Sequence, residues 1–563
     1  MLGSLLLGGE RQSPSAAKLD LKAAALAAAV VGCLLPFLGK PFHIDDPMYV
    51  WAAQHIAEHP LDFYGFVVNW HGTATPMATV MKNPPLVSYY LAAAGSLLGW
   101  RELALHLALL LPAAGLVLGT YALAGLYTAR PAQAVIAMAV TPVFLVSATT
   151  VMSDIPMLCA WVWALVFWMR GLRESSPLLL ALGAALAAVA ALTKYFGIGL
   201  LPLFALYGTL RERRAWRWAP WLLLPVAALV AYQLGTERLY GRGLLLDATA
   251  YASAIRARAG WQMLPKLAIG LAFTGGCLAT ALWYGPALWS RRALLGWAAA
   301  SSAAVALLAG LGSLGVHPLR DESGVRWLEV FQLGVALVAG ASVVALAILD
   351  LVADRSPESV LLAAWTAGTL VFADGLNWAV NARALLPLAP AAGILIARRL
   401  ERRPEKGAFP VRWTRWALVP AAALALLVAA ADEAEALVSR DAAGRLAEQL
   451  SSLPGTVWFQ GHWGFQYYAQ RAGFLPLDYR HPAIEVGDAI IKPEGITNPI
   501  ALPPGTVELT RSIELEPFPC LSTMSLAIGA GFYADVWGPL PYAFGRVPRE
   551  QYRVYRALVP MKE

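Results

Sequence analysis

Residues 86–99, LVSYYLAAAGSLLG, decide how this chain is threaded. The run is apolar, but Trp100, Arg101 and Glu102 close it early. A membrane span needs roughly 17 to 25 predominantly apolar residues. This run falls short, so it reads as a helix lying at the membrane interface. Counting it as a span would reverse the side on which every later turn emerges.

The surrounding chain makes a membrane the right frame. Of its 563 residues 58% are apolar and 14% charged, with a mean hydropathy of +0.57. Soluble chains carry roughly 25% charged residues. Apolar runs of spanning length begin at about residue 21 and recur to about residue 431. The net charge of +7 comes from short basic clusters between those runs. That is the mark of the positive-inside rule rather than of a nucleic-acid surface. Cys33, Cys159, Cys277 and Cys520 show no metal or disulfide spacing.

With 86–99 at the interface, about thirteen spans alternate from a cytoplasmic N-terminus, the first retained rather than cleaved. The arginine-rich turns near 170, 211, 291 and 398 then all fall inside. Asp45, Asp46, Asp154, Lys194, Arg256 and Arg383 all fall outside. From about 432 onward acidic residues, prolines and alternating runs such as Thr456–Phe459 appear. The expected organisation is an all-α polytopic membrane bundle, residues 1–431, with a first outer loop at 41–100. A small extracytoplasmic α/β domain, residues 432–563, follows.

Chemistry is expected at the outer mouth. The first loop opens with Asp45 and Asp46 and closes with Lys82-Asn83-Pro84-Pro85. Residues 49–59, YVWAAQHIAEH, read as a helix with Pro47 in its first turn. Its dipole favours carboxylates at the N-terminus. A carboxylate fixed there suits a general base for an acceptor hydroxyl, against the plainer alternative of a solvated loop start. Asp154 stands in a similar setting, Ser153-Asp154-Ile155-Pro156, where capping alone is the alternative. Lys82, Lys194, Arg256, Arg258 and Arg383 are the candidate phosphate partners, arginine being suited to bidentate phosphate recognition. For the lysines the alternative is snorkelling to the interface. Tyr49, Trp70, His71 and Asn83 are the loop's candidates for contacting substrate. His43, Asp45, Asp46 and His71 could be drawn into a metal set, but their spacing matches no strong ligand pattern. No resident metal is therefore expected, and a divalent cation stays open as a cofactor.

Taken together, the acidic pair after the first span, Pro84-Pro85-Leu86, Asp154-x-Pro156, Thr193-Lys194-x-x-Gly197 and Arg383-x-Leu385-Leu386-Pro387 resemble the GT-C glycosyltransferases. The resemblance is to the branch of the protein O-mannosyltransferases and the lipid A aminoarabinose transferase, over about residues 20–400. It implies a GT-C fold and an inverting hexosyl or pentosyl transfer from a polyprenyl-phosphate sugar. It puts Asp45 at the catalytic position of the first loop, Asp46 beside it, and Asp154 at the second acidic position near the donor sugar. Asp-Asp stands where Asp-Glu is common. Asn83 stands where many relatives carry lysine, so Lys82 is offset by one, and Lys194 or an arginine of 238–258 could substitute. The acceptor could be a protein, a glycolipid or an envelope glycan at the bacterial plasma membrane. A transporter or flippase of a lipid-linked saccharide is the alternative from another class. A transporter would show paired repeats and charge at mid-membrane; here charges gather at one face. A polysaccharide polymerase or ligase is the third reading.

Overall fold

A computed structural model describes residues 16–259, 263–402, 412–496 and 499–561. The chain is mostly helical. Among the described residues seven helices are long and apolar enough to cross a membrane, from Glu102–Ala124 to Trp416–Leu450. The pair Pro131–Ala139 and Pro142–Ala148, bent by 69°, makes an eighth. Leu21–Phe37, Leu86–Leu98, Pro177–Thr193 and Met263–Cys277 are apolar but shorter. The protein is therefore a multi-pass membrane protein. The thirteen spans expected from the sequence are not matched by length alone, because several apolar runs break early at Pro or Gly. At Leu86–Leu98 the expectation of a short helix is met: 13 residues rise only about 20 Å, against a hydrocarbon core of about 30 Å.

Local sequence sets these breaks. Pro142 cannot continue the preceding helix, and the Thr141 side chain caps the new one by accepting from Phe144 N at 3.3 Å. The bend brings residues 149–153 under the first loop. Elsewhere glycines permit close crossings. Met263–Cys277 meets Trp327–Ala353 where a Cβ on Gly340 would lie 1.9 Å from Leu271 O, and one on Gly275 1.8 Å from Ala336 O.

The two ends of the bundle differ in charge. Asp154 and Arg173 bound one helix of 20 residues, about 30 Å apart. At the Arg173 end, Arg173 pairs with Glu358 at 2.7 Å, and Arg398 pairs with Asp350 at 3.1 Å and Asp354 at 2.7 Å. Asp154 lies at the opposite end, with Asp45.

The helix Arg412–Leu450 runs unbroken for 39 residues, so the boundary expected at 431/432 falls inside it. About 58 Å long, it projects beyond any bilayer. Beyond it lies a five-stranded mixed sheet in the order Val507–Leu515, Glu550–Ala557, Ala489–Pro493, Val457–Phe459 and Leu475–Pro476. The first two pairings are antiparallel and the last two parallel. The helix Trp463–Arg471 covers this sheet and grips the first loop. Tyr468 Oη accepts from Phe42 N at 2.8 Å and donates to Glu102 Oε1 at 2.8 Å. Gly464 is required here, since a Cβ would lie 2.3 Å from Phe42 O.

Candidate active site

Four elements bring one carboxylate or one cation each to the same place. The first-loop helix Asp46–Glu58 begins after Ile44, a buried β-branched residue held at φ 47°. That left-handed conformation costs about 1–3 kcal/mol and persists only where neighbours enforce it. The enforcing contacts are those of Asp46: its Oδ2 accepts from His43 N at 2.9 Å and its Oδ1 from Val151 N at 2.8 Å. Asp46 is fully buried, and burial pushes its carboxyl up to about 7 despite those two amides. It ties the loop to residues 149–153 and has no face toward solvent. This geometry argues against the direct catalytic part expected for Asp46.

Asp45 is different. Its side chain is 26% exposed, and it does not cap the helix it precedes. Instead Asp45 Oδ2 accepts from Arg383 Nη2 at 2.9 Å. Arg383 reaches on to Asp154 Oδ2 at 3.8 Å, and Lys194 Nζ bonds Asp154 Oδ1 at 2.5 Å. The result is a chain Asp45–Arg383–Asp154–Lys194 of alternating sign. Asp154 does not cap its helix either; both carboxylates turn to cations. Burial alone would weaken the proton affinity of Arg383, but Asp45 and Asp154 more than offset it and its pKa moves up. Arg383 Nε has no hydrogen-bond partner among the described residues, so the guanidinium keeps a donor in reserve. Tyr49 lies beside the cluster, its hydroxyl 3.0 Å from Ser153 Oγ.

Local sequence explains each placement. Lys194 ends the helix Pro177–Thr193 in an extended conformation, and the turn at Gly197 folds back so closely that a Cβ there would lie 2.3 Å from Ala190 C. Arg383 sits in the short helix Ala382–Leu385, capped by Asn381, whose side chain accepts from Ala384 N at 2.8 Å. The C-terminal segment splints that helix: Ala382 N donates to Phe532 O at 2.8 Å and Asp535 N to Val380 O at 2.8 Å. Tyr533 follows, with the Arg383 guanidinium 5.4 Å from its ring centroid. The C-terminal region, in which sequence reasoning found nothing catalytic, thus packs directly against the site.

The remaining candidates separate. Lys82 Nζ bonds Asp247 Oδ2 at 2.6 Å and lies over the Tyr251 ring, and Arg242 holds the other Asp247 oxygen at 2.9 Å. This second cluster borders the first: Lys82 and Asp45 both act electrostatically on His71, whose pKa burial lowers. Asn83 accepts from Tyr64 Oη through its carbonyl at 2.9 Å. Trp70 is buried between Trp51 and His462 in the packing of the loop against the C-terminal region. Arg256 is spent on the Leu376 carbonyl and Ser253, apart from both carboxylates of the site. The Arg258 side chain lies outside the described residues.

Beneath the site lies a buried network that the sequence did not signal. Lys40 and Asp432 are both fully buried and bonded to each other. Asp432 also accepts from Thr523 Oγ1 at 2.7 Å and Tyr533 Oη at 3.0 Å. Glu435 accepts from Ser522 Oγ at 2.5 Å and Thr523 N at 3.0 Å. His43, Asp432 and Glu435 stand close enough to suggest a cation site. Lys40 already supplies the positive charge there, and both carboxylates are engaged. The metal set that His43, Asp45 and Asp46 could have formed is not assembled: His43 faces Asp432, Asp45 faces Arg383 and Asp46 faces two amides.

Comparison with known proteins bears on this geometry. Residues 82–234 match the family described as dolichyl-phosphate-mannose-protein mannosyltransferase. The match, less than half of the chain, holds Lys82, Asn83, Asp154 and Lys194 and supports the resemblance to the GT-C glycosyltransferases. Among solved structures the chain is similar to the oligosaccharyltransferase of Archaeoglobus fulgidus, with a TM-score of 0.48 and 13% identity over 83% of this chain. It spans 65% of that protein's length. It is also similar to ArnT from Cupriavidus metallidurans bound to undecaprenyl phosphate, with a TM-score of 0.41 and 13% identity over 84% of this chain and 92% of that one. No curated protein matches the chain.

Proposed function

We propose that the protein is an inverting glycosyltransferase that moves a sugar from a polyprenyl-phosphate donor to an acceptor hydroxyl at the outer face of a bacterial plasma membrane. The observation that carries this reading is the pairing of an accessible carboxylate, Asp45, with a largely buried guanidinium, Arg383, that has a donor to spare. In the proposed reaction Asp45 takes the proton from the acceptor hydroxyl as its oxygen attacks the anomeric carbon. The bond from that carbon to the phosphate oxygen breaks, and the phosphate leaves with the electron pair. Arg383 and Lys194 stabilise the charge as it develops on the phosphate, and Asp154 holds the two cations in place. Asp46 acts through the backbone, by fixing the turn that presents Asp45. Lys82 and Arg242, balanced by Asp247, border the donor's path. The family match supports a phosphate-linked sugar donor.

The cytoplasmic placement of the Arg173 and Arg398 end follows from the positive-inside rule. By the same rule the sheet after Leu450 is extracytoplasmic. It positions the acceptor, with residues 521–545 returning to the bundle to support Arg383.

The test is donor turnover. Purified protein in lipid is given a panel of radiolabelled polyprenyl-phosphate sugars with a membrane extract as acceptor. Transfer of label from one sugar, with inversion at the anomeric centre, supports the reading. Transbilayer movement of intact donor without transfer from any sugar overturns it in favour of a transporter.

A further inference from the structure

A second polar recess lies on the other face of the first-loop helix, away from Asp45. Trp51 and Gln54 of that helix, Trp100 and Arg101 at the corner before Glu102–Ala124, and Tyr467, Gln470 and Arg471 of the helix Trp463–Arg471 line an open recess of about 370 Å³. That volume falls within the range of small-ligand sites, about 300–1,000 Å³.

Charge and depth identify its occupant. Arg101 and Arg471 are both exposed, and neither pairs with a carboxylate among the described residues. Among the described residues Arg471 has a side-chain hydrogen bond and a ring contact with Tyr467 alone, its guanidinium 5.7 Å from the ring centroid and Nη1 3.5 Å from Oη. Three other arginines near this end are balanced: Arg383 by Asp45, Arg242 by Asp247, Arg326 by Glu329. The nearest acid along the chain, Glu102, is committed to Tyr468. The recess is therefore net positive. Its depth follows from its apolar neighbours. Leu97 is 83% exposed and Leu111 71%, with Leu103 and Leu107 also exposed between them. In a membrane protein such side chains meet acyl chains, so Arg101 stands where hydrocarbon gives way to head groups. Trp51, Trp100 and Tyr467 are the residue types of that boundary. Gln54 and Gln470 add amide donors suited to ester and glycerol oxygens.

We infer that this recess binds the phosphate head group of an anionic membrane phospholipid, with its acyl chains along Leu97, Leu103, Leu107 and Leu111. The lipid bridges the first-loop helix, the span Glu102–Ala124 and the helix Trp463–Arg471. Trp51 is six residues beyond Asp45, about 9 Å along the helix axis. An occupied recess thus braces the helix that presents Asp45. The lipid site itself does not depend on the glycosyl-transfer reading.

The experiment is lipid retention measured by native mass spectrometry on the full chain, released from nanodiscs of phosphatidylglycerol or phosphatidylcholine. An arginine near the bilayer surface favours anionic lipid by about fivefold, so two give roughly thirtyfold. The wild type is expected to retain phosphatidylglycerol over phosphatidylcholine by that order, and the R101Q/R471Q protein to lose the preference. R101K/R471K should keep much of it. R471Q alone, at a side chain bonded among the described residues to Tyr467, provides the same comparison if Arg101 proves necessary for folding. Equal retention of the two lipids by the wild type overturns the inference, as does an undiminished preference in R101Q/R471Q. Displacement of the lipid by inorganic phosphate at matched concentration, or by a neutral soluble glycan, overturns the lipid assignment in favour of a soluble ligand.

Discussion

Replacing Arg383 by Met separates the site's chemistry from its stability. The guanidinium bonds Asp45 at 2.9 Å, approaches Asp154 at 3.8 Å and lies over Tyr533 at 5.4 Å. Removing one partner of a buried ion pair costs about 3–5 kcal/mol when the other charge is left unpaired. Here the orphaned charges have other recourse: Asp154 keeps Lys194 at 2.5 Å, and Asp45 is 26% exposed and can hydrate. The loss of stability should therefore fall below that range. The loss of turnover should not. Removing one preorganised donor from developing oxyanion charge costs about 10²–10³-fold in rate, and Lys194 alone cannot replace a guanidinium fork. R383M should thus remain folded, with a modest fall in Tm, while label transfer falls by about 10²–10³-fold; R383K should recover part of it. Transfer within a few-fold of wild type in R383M would refute the reasoning. So would a loss of activity that merely tracks the fraction unfolded at the assay temperature.

Three further outcomes follow from the same contacts. Lys194→Met should lower transfer by about the same factor as R383M, whereas Arg256→Ala, spent on the Leu376 carbonyl, should leave transfer nearly unchanged; equal losses in the two would show that the donor phosphate lies elsewhere. Lys40→Met leaves Asp432 buried without its cation and should cost about 3–5 kcal/mol in thermal or denaturant unfolding. K40M/D432N should recover a part of that, and a K40M protein as stable as wild type would contradict the network. The last concerns pH. Burial raises Asp46 from 3.8 to about 7, so its contribution is full below pH 3.8 and is lost as pH rises through about 7. Burial lowers His43 from 6.5 to about 4, so its contribution is full above pH 6.5 and is lost as pH falls through about 4. Between those values the two oppose each other, and Asp46→Asn, by removing the first, should make Tm rise more steeply from pH 4 to 6.5 than in wild type. Parallel profiles would count against the assignment.

Much of the architecture was legible because apolar runs and basic turns are local signals. The short helix 86–98 and the gathering of Arg173 and Arg398 at one end follow from length and charge alone. Asp45, Asp154, Lys194 and Arg383 could each be picked out because each borders an apolar run, where charge is unexpected. Their contact could not be read, since it joins residues up to 338 apart in sequence. Asp45 and Asp46 look alike in sequence. They differ only because one faces Arg383 and the other faces two amides, a distinction set by the turn at Ile44. Tyr533 and the Lys40–Asp432 pair gave no usable signal. Asp432 looks like the first residue of a soluble domain until the helix is seen to run through it. The acidic run Asp432-Glu433-x-Glu435 at the end of an alanine-rich stretch marks the position but names no partner.

The central claim is that Asp45 acts in the chemical step. The most direct measurement uses the radiolabelled donor that the wild type consumes, following its binding and its transfer separately for wild type and Asp45→Asn. The account predicts that the variant binds donor within a few-fold of wild type, while transfer falls by about 10²–10⁴-fold, the range for loss of a general base. Transfer at close to the wild-type rate in Asp45→Asn would contradict it, and so would a loss of transfer explained wholly by loss of donor binding.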